Sequence, residues 1–564
     1  MNPNLSRRSA LGLALSSLAT LTACAAIPTD GEVNHYADPQ ATGSTSTSGS
    51  SPEGPAPGAR PTEIIEGFLH AGVGVKDDYS VARLYLTEDL AQSWKPDGRT
   101  LVYNSSFTTA SVSDSSYLVT VPTSTLVDDK GLATSYTTVA DTEVEFTLRQ
   151  VDGEWRISSA PDGTVLSRNE FADVFNPFTL YFYDPTYTYA VPDVRWFAER
   201  TTVATSLVRV LLEGPAPYLT GAVATAVPAD TSLTRNSVPI NNGEADIQLS
   251  GGSALTAASA LETERLRTQL TQTLTTLASV TTVQLTINDQ IVAAPTLENY
   301  REPAVNPEAA SNIVGIEDNR LIARAALDDT ASQQTIVETS AQALITLPAM
   351  NYTRNYYAYT NTGQNEVWLA NSNGARSVYR GTHVLAPCFD HQNWLWVGEQ
   401  DGSVRVIAAG QEDSSAKDVT SWTDGELLHS ISIARDGSRA VLVTSSVDGS
   451  NYGAWVSAIR RSADGTPTEL LDPVQLGADM SPRGAEWVSD VEVFLWNSDT
   501  TQTELVSLTG ENAQYDSLQG ITRIVTGNGI DQAVAMTRDG GLYIVAGLSW
   551  TRIESSLSQI NYSG

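Results

Sequence analysis

Ile433-Ala-Arg-Asp-Gly-Ser-Arg-Ala-Val-Leu-Val443 reads as a strand end, a tight turn and a buried strand. Asp436-Gly437 is read as the pair supplying the positive φ values of the turn, and the run after it is apolar enough to lie inside a sheet. The same beat recurs at Ile316–Ala323, at Tyr356–Thr360 with Val367–Leu369, and at Asp390–Val397 with Ser403–Ile407. It returns at Trp487–Leu495 and at Asp531–Met536 with Gly541–Val545. Copies stand roughly 40 to 50 residues apart, the period of four-stranded propeller blades. Residues 306–564 are therefore expected to form an all-β propeller of six or seven blades. A calcium reading of the Asp-Gly turn lacks the further carboxylates that such a loop needs.

Upstream the period changes. Between residues 186 and 296, Val203, Leu207, Val210 and Leu211 follow helical spacing, and Glu213-Gly214-Pro215 is expected to stop that helix with Gly as a left-handed cap. Asn241-Asn242-Gly243 reads as a turn between Val238–Ile240 and Ala245–Leu249. Ser259 and Glu262 form a capping box for a helix carrying Leu266, Leu270, Leu274 and Leu277, and Val283, Leu285 and Ile287 close the unit as a strand. Leu207–Pro215, then Ala226-Val-Pro228, then Gly243–Ser250 resemble the GerMN module of sporulation and germination proteins, a binding module without a known catalytic residue set.

Residues 61–185 also read as α+β. Pro61 opens a helix with Ile64, Ile65, Phe68 and Leu69 on one face. A second helix is expected to carry Val81, Leu84 and Tyr85, and Thr87 to cap a third with Leu90 and Trp94. Alternating runs at Tyr117–Val121, Val144–Leu148 and Trp155–Ile157 follow, with Asp152-Gly153 as a hairpin turn, and Tyr181–Tyr189 is read as a strand entering the next unit. Helices followed by a meander resemble the cone-shaped folds of nuclear-transport-factor-2 and cystatin type. Such cones often enclose a pocket, which Trp94 and Trp155 would line unless they are core.

The first 60 residues carry no such periods. Arg7 and Arg8, an uncharged stretch to Leu21, and Leu21-Thr-Ala-Cys24 have the parts of an export signal over residues 1–23. Leu-Thr-Ala-Cys resembles a bacterial lipobox, which makes Cys24 the lipid attachment site, an S-diacylglycerol cysteine acylated on its new amino terminus. One acyl chain holds a protein only marginally, at about 0.8 kcal/mol per buried methylene, so stable anchoring needs more than one. An uncleaved membrane helix over Ser9–Ile27 is the alternative. Ser6-Arg7-Arg8 also resembles a twin-arginine signal, departing from it at Ala10. The Gly/Ser/Thr/Pro-rich remainder of residues 24–60 reads as a disordered tether.

Charge narrows the function. The 564 residues carry a formal net charge of −32, which repels nucleic acid and anionic headgroups, so no nucleic-acid partner is expected. Cys24 and Cys388 are the two cysteines, and once Cys24 is lipidated Cys388 has no partner and reads as a small core residue. No nucleophile elbow, zinc motif, phosphate loop or dinucleotide fingerprint is present. His35, His70, His383, His391 and His429 are scattered, and Asp128-Asp129, Glu317-Asp318 and Asp328-Asp329 read as surface pairs. No catalytic, metal or cofactor residues are assigned, and the protein is not expected to be an enzyme.

Taken in order, these modules resemble the actinobacterial lipoprotein LpqB family. Cys24–Gly31, Pro61–Leu69, Val81–Thr87 and the Leu-Leu-Glu-Gly-Pro215 helix stop carry the resemblance. It implies an accessory of the sensor histidine kinase MtrB of the MtrAB two-component system. The protein would be anchored at the outer face of the cytoplasmic membrane, touch the kinase's extracellular domain and influence cell-wall and division homeostasis. Cell-wall components are further candidate partners. The competing readings are a wall- or solute-binding lipoprotein without signalling and a propeller hydrolase acting on wall glycans or peptides.

Overall fold

In the chain from residue 175 to 198, two nine-residue strands, Phe175–Tyr183 and Ala190–Ala198, pair as an isolated antiparallel hairpin. Asp184 shapes its turn: Oδ1 accepts from the Thr188 and Tyr189 amides, both at 2.7 Å, and Oδ2 from the Thr186 amide at 3.0 Å. Tyr181–Tyr189 is thus a strand end plus this turn rather than one strand, because an aspartate able to cap three amides ends the extended run. A domain boundary at 185/186 falls inside that turn. The computed structural model describes residues 52–294, 297–338, 344–411 and 414–564; the leader, Cys24 and most of the tether lie outside the described residues.

The first domain is a helix packed on a curved sheet. Helix Pro61–His70 buries Ile64, Ile65, Phe68 and Leu69, the face its spacing predicts. The sheet runs Glu154–Ser159, Ala133–Val151, Ser116–Asp128, Arg99–Tyr103, Thr164–Ser167, with Thr108–Ser111 also paired to Ser116–Asp128. Asp152 and Gly153, at φ 52° and 85°, make the expected two-residue hairpin turn. Phe68 meets Trp94 edge-on at 5.1 Å and Phe146 at 6.1 Å, so Trp94 is core, with Trp155 packed at its margin. The expected second helix is a single turn, Ser80–Arg83, and Leu84 falls beyond it at 57% exposure. Thr87 stands at the start of helix Glu88–Ser93 without a side-chain cap bond. Part of the predicted tether is seated too: the Tyr85 hydroxyl donates to the Glu53 carbonyl at 2.8 Å, and the Gly58 amide to Glu154 at 2.9 Å. Composition reports poor core-forming power; it does not see backbone groups that a folded neighbour can bind.

The second domain sets helices Val203–Glu213 and Ala260–Leu274 against a sheet whose central strands, Glu244–Ser250 and Thr282–Ile287, run parallel. The Ser259–Glu262 capping box is formed, and Leu266, Leu270, Leu274 and Leu277 are buried. Gly214 does stop its helix, but at φ 109°, ψ −178°, a glycine-only extended conformation rather than the left-handed cap expected.

Six blades follow among the described residues, five of four strands and the fourth of five, where Val474–Gln475 also pairs with Gly453–Arg461. Blades two to six have Ile345–Met350, Cys388–Phe389, Leu427–Ile433, Gly484–Trp487 and Ile521–Thr526 as their inner strands. In blade one the inner strand comes from the far end of the chain: Gln559–Asn561 pairs with Ile313–Glu317. Each inner strand lies beside the next, and the sixth lies beside Gln559–Asn561, so the inner strands form a ring. In the Ala434–Gly437 turn only Gly437 has positive φ, 69°; Asp436 instead turns inward onto Ser438 and Arg439.

The hairpin Phe175–Ala198 joins all three modules. Phe175 and Ala198 complete the first core, and Leu180 and Phe182 enter the second. Val191 packs with Leu219 and Ala222 against Ala458 and Leu471 of blade four. Beneath that apolar contact lies a buried ion pair. Arg195 Nε and Nη2 donate to the two oxygens of Asp193 at 2.7 and 2.9 Å, the Ala216 amide donates to Asp193 at 2.7 Å, and Arg195 Nη1 reaches the Lys130 carbonyl at 3.2 Å.

Candidate functional site

The ring of inner strands leaves a central cavity of about 680 Å³ with lining residues from all six blades. This lies in the size range of small-molecule sites. Its walls are mixed. Leu347, Leu385, Ile431, Trp496 and Met536 supply apolar surface, while Arg483, Arg523, Arg538, Glu486 and Asp539 bring charge. Because each blade contributes only a few positions, residues that share this space are about one repeat apart in sequence, and no motif spacing announces them.

Arg483, Glu486 and Arg523 are partly buried there. The Ser432 hydroxyl donates to Glu486 at 2.6 Å, yet burial pushes the Glu486 carboxyl up, opposed in part by Arg523. Burial likewise pulls the Arg523 guanidinium down, with Glu486 opposing. Arg483 donates through Nε to Asp499 at 2.9 Å and lies 3.3 Å over the Tyr452 ring, while its buried Nη1 has no partner.

The histidines of the described residues have separate surroundings. His429 lines the cavity, bonds Ser445 Oγ at 2.9 Å, and is held below its ordinary pKa by burial and by Arg483. His391 sits elsewhere, stacked at 3.6 Å on Tyr352 and at 4.4 Å on Tyr189, with Nδ1 3.1 Å from the Tyr189 hydroxyl. His383 occupies a left-handed turn position. Cys388 is buried, with its thiol pointing to the Ile431 carbonyl at 3.8 Å; burial pushes that thiol up, which disfavours the reactive thiolate. Among the described residues no group of three or more His, Cys, Asp or Glu is arranged to hold a metal.

His391 joins the hairpin to the propeller, and its environment gives a pH signature. Burial, aided by Arg435, pulls it to about 4, against an ordinary value of 6.5. As pH falls the unfolded chain takes the proton first. The stabilisation is therefore complete above about 6.5, drains between 6.5 and 4, and is flat below. At most about 3 kcal/mol is involved. His391→Phe is expected to remove this part of the acid slope, measured as the difference between parent and variant in denaturation midpoint from pH 7 to 4. Equal slopes would contradict the assignment.

Three family models match in sequence: the N-terminal domain of lipoprotein LpqB over residues 54–172, a sporulation and spore germination domain over 179–293, and the LpqB β-propeller domain over 315–559. The chain belongs to the LpqB lipoprotein family. Similar curated proteins include "Lipoprotein LpqB" of Thermobifida fusca, 30% identical, with 52% of this chain and 48% of that one aligned. That of Bifidobacterium longum is 30% identical over 43% and 44%. That of Corynebacterium diphtheriae is 31% identical over 41% and 40%. Each alignment thus spans about half or less of the relative's length. Solved structures that match part of the chain include a functionally unknown protein from Desulfotomaculum acetoxidans (TM-score 0.32, 10% identity, 46% of this chain and 89% of that one). Another is the virginiamycin B lyase of Staphylococcus aureus (TM-score 0.31, 11% identity, 45% and 89%).

The three matched segments account for most of the folded part of the molecule. The sporulation-type module is held between its neighbours by the Phe175–Ala198 hairpin, which begins within four residues after the first family match ends. Cys24, the one site residue assigned from sequence, precedes every matched segment and lies outside the described residues. Among the described residues, no helix is long and apolar enough to cross a membrane.

Proposed function

We propose that the protein is a membrane-anchored, non-catalytic accessory lipoprotein. It is tethered through acylated Cys24 at the outer face of the cytoplasmic membrane and binds the extracellular domain of an MtrB-like sensor histidine kinase. The observation that carries this reading is the junction: three modules are held together by one hairpin, a shared apolar contact and a buried Asp193–Arg195 pair. Surfaces fixed relative to one another suit recognition of a large folded partner, because docking then costs little ordering entropy. A tether confines the search to the membrane plane and raises the effective concentration of a membrane-bound partner.

Cys24→Ala tests both halves. The variant is expected to leave the membrane fraction completely and to lose its effect on kinase phosphorylation in cells, while the purified kinase ectodomain still binds it in solution. A soluble variant that signalled normally would overturn the role of the anchor, and an ectodomain that failed to bind would overturn the partner. The central cavity favours a second reading, a solute-binding lipoprotein; in that case a ligand binds and the ectodomain does not.

A further inference from the structure

The chain as a whole carries 65 acidic residues against 33 lysines and arginines, yet the central cavity reverses that balance. Three arginines line it, Arg483, Arg523 and Arg538, against two carboxyl groups, Glu486 and Asp539. Both carboxyls are already engaged. Glu486 accepts from Ser432 at 2.6 Å; Asp539 accepts from the Thr537 hydroxyl at 2.5 Å and the Gly541 amide at 3.4 Å.

The arginines are not matched in the same way. Arg523 forms no side-chain hydrogen bond or ion pair within 4 Å among the described residues. Arg483 uses Nε on Asp499 and its flat face on Tyr452, and leaves Nη1 buried without an acceptor. A guanidinium nitrogen buried without an acceptor, as Arg483 Nη1 is, is costly, and proteins ordinarily supply one. Burial works against the charged forms of both Arg523 and Glu486; each charge favours the other, but no ion-pair contact within 4 Å joins them among the described residues. The fork of N–H donors on arginine matches the two oxygens of a carboxylate or phosphate, and low-dielectric walls strengthen that pairing.

We propose that the central cavity is a binding site for a small molecule bearing a carboxylate or phosphate group, whose oxygens Arg523 and Arg483 receive. The apolar wall at Leu385, Ile431 and Trp496 would hold the uncharged remainder of that ligand. A polyanion such as nucleic acid does not fit, since the space is about 680 Å³ and the outer surface is strongly acidic. This inference stands apart from the kinase reading: it concerns the propeller's interior, and either can fail without the other.

The test is calorimetric titration of the full chain at low ionic strength in a chloride-free buffer, with inorganic phosphate in one arm and succinate in the other. One saturable site per chain is expected. Arg523→Gln is expected to weaken binding at least tenfold and Arg483→Gln severalfold, while Glu486→Gln, which removes the competing carboxyl, binds at least as tightly as the parent. Tighter binding of phosphate names a phosphoester ligand, and tighter binding of succinate a carboxylic one. Absence of binding in both arms at millimolar anion would overturn the proposal. So would a folded Arg523→Gln variant that binds as the parent does, or a folded Glu486→Gln variant that does not bind. If circular dichroism shows Arg523→Gln unfolded, Arg483→Gln decides it by weakened binding and Glu486→Gln by binding that is not weakened.

Discussion

Asp193→Ala is expected to cost about 3–5 kcal/mol, because it strands a buried cation. Asp193 is fully buried and Arg195 is 1% exposed. The carboxylate accepts three hydrogen bonds: two from the Arg195 fork and one from the Ala216 amide, which begins the segment that docks on blade four. The two residues are two apart on one strand, so their side chains share a face, and removing the acid leaves the guanidinium with the Lys130 carbonyl alone. The damage should spread to the interfaces and not stay within one core. Hydrogen exchange is expected to rise in Ala190–Ala198 and Ala216–Ala222 while helix Pro61–His70 keeps its protection. Replacing both partners, Asp193→Leu with Arg195→Met, should recover most of the loss, since an apolar pair has no charge to strand. A midpoint for Asp193→Ala equal to the parent's, or a double variant as weak as the single, would show that the pair is not what holds the junction.

That junction was the least legible part of the chain. Local signals carried well where one segment decides the outcome. Asn242 and Gly243 both take positive φ, as do Asp318 and Asn319, and each pair closes a two-residue hairpin between a strand pair that the alternation marks. The Ser259 cap and the apolar face of Pro61–His70 are equally local. Asp193 and Arg195 look in sequence like two charges in an edge strand; only the arrival of Lys130 and Ala216 from elsewhere makes them a buried pair. The cavity is harder still, since Arg483, Glu486 and Arg523 come from connections and inner strands of different blades. The leftover positive φ at Gly437, without a matching one at Asp436, shows the limit of motif reading: the Asp-Gly pair marks the turn correctly, but the aspartate is kept for its bonds to Ser438 and Arg439, not for its backbone.

Removing residues 557–564 is expected to prevent the propeller from closing. Five blades are each built from one continuous stretch, but blade one needs Gln559–Asn561 beside Ile313–Glu317. The deletion takes away Leu557, Ile560 and Tyr562, buried at 2%, 0% and 6% exposure against Val525, Val534 and Met536. Large-to-small changes at single buried sites cost about 2–5 kcal/mol each, so losing three together is comparable to the whole margin of about 5–15 kcal/mol of a folded domain. It also removes a clasp to the next blade, where Gln559 Oε1 accepts from the Thr346 hydroxyl at 3.0 Å and the Leu347 amide at 2.9 Å. Ile313–Glu317 is left as an uncovered edge, a template for association with other chains. The first domain shares none of these contacts and should stay protected in hydrogen exchange, while the blades lose their cooperative transition and the protein aggregates. A peptide of residues 557–564 added in trans is expected to restore part of the transition, with a midpoint that depends on peptide concentration. An unchanged calorimetric transition in the deleted chain would mean that the ring is held by contacts between neighbouring blades alone. In that case the pairing of the chain's late strand with its early one would be a consequence of closure and not its cause.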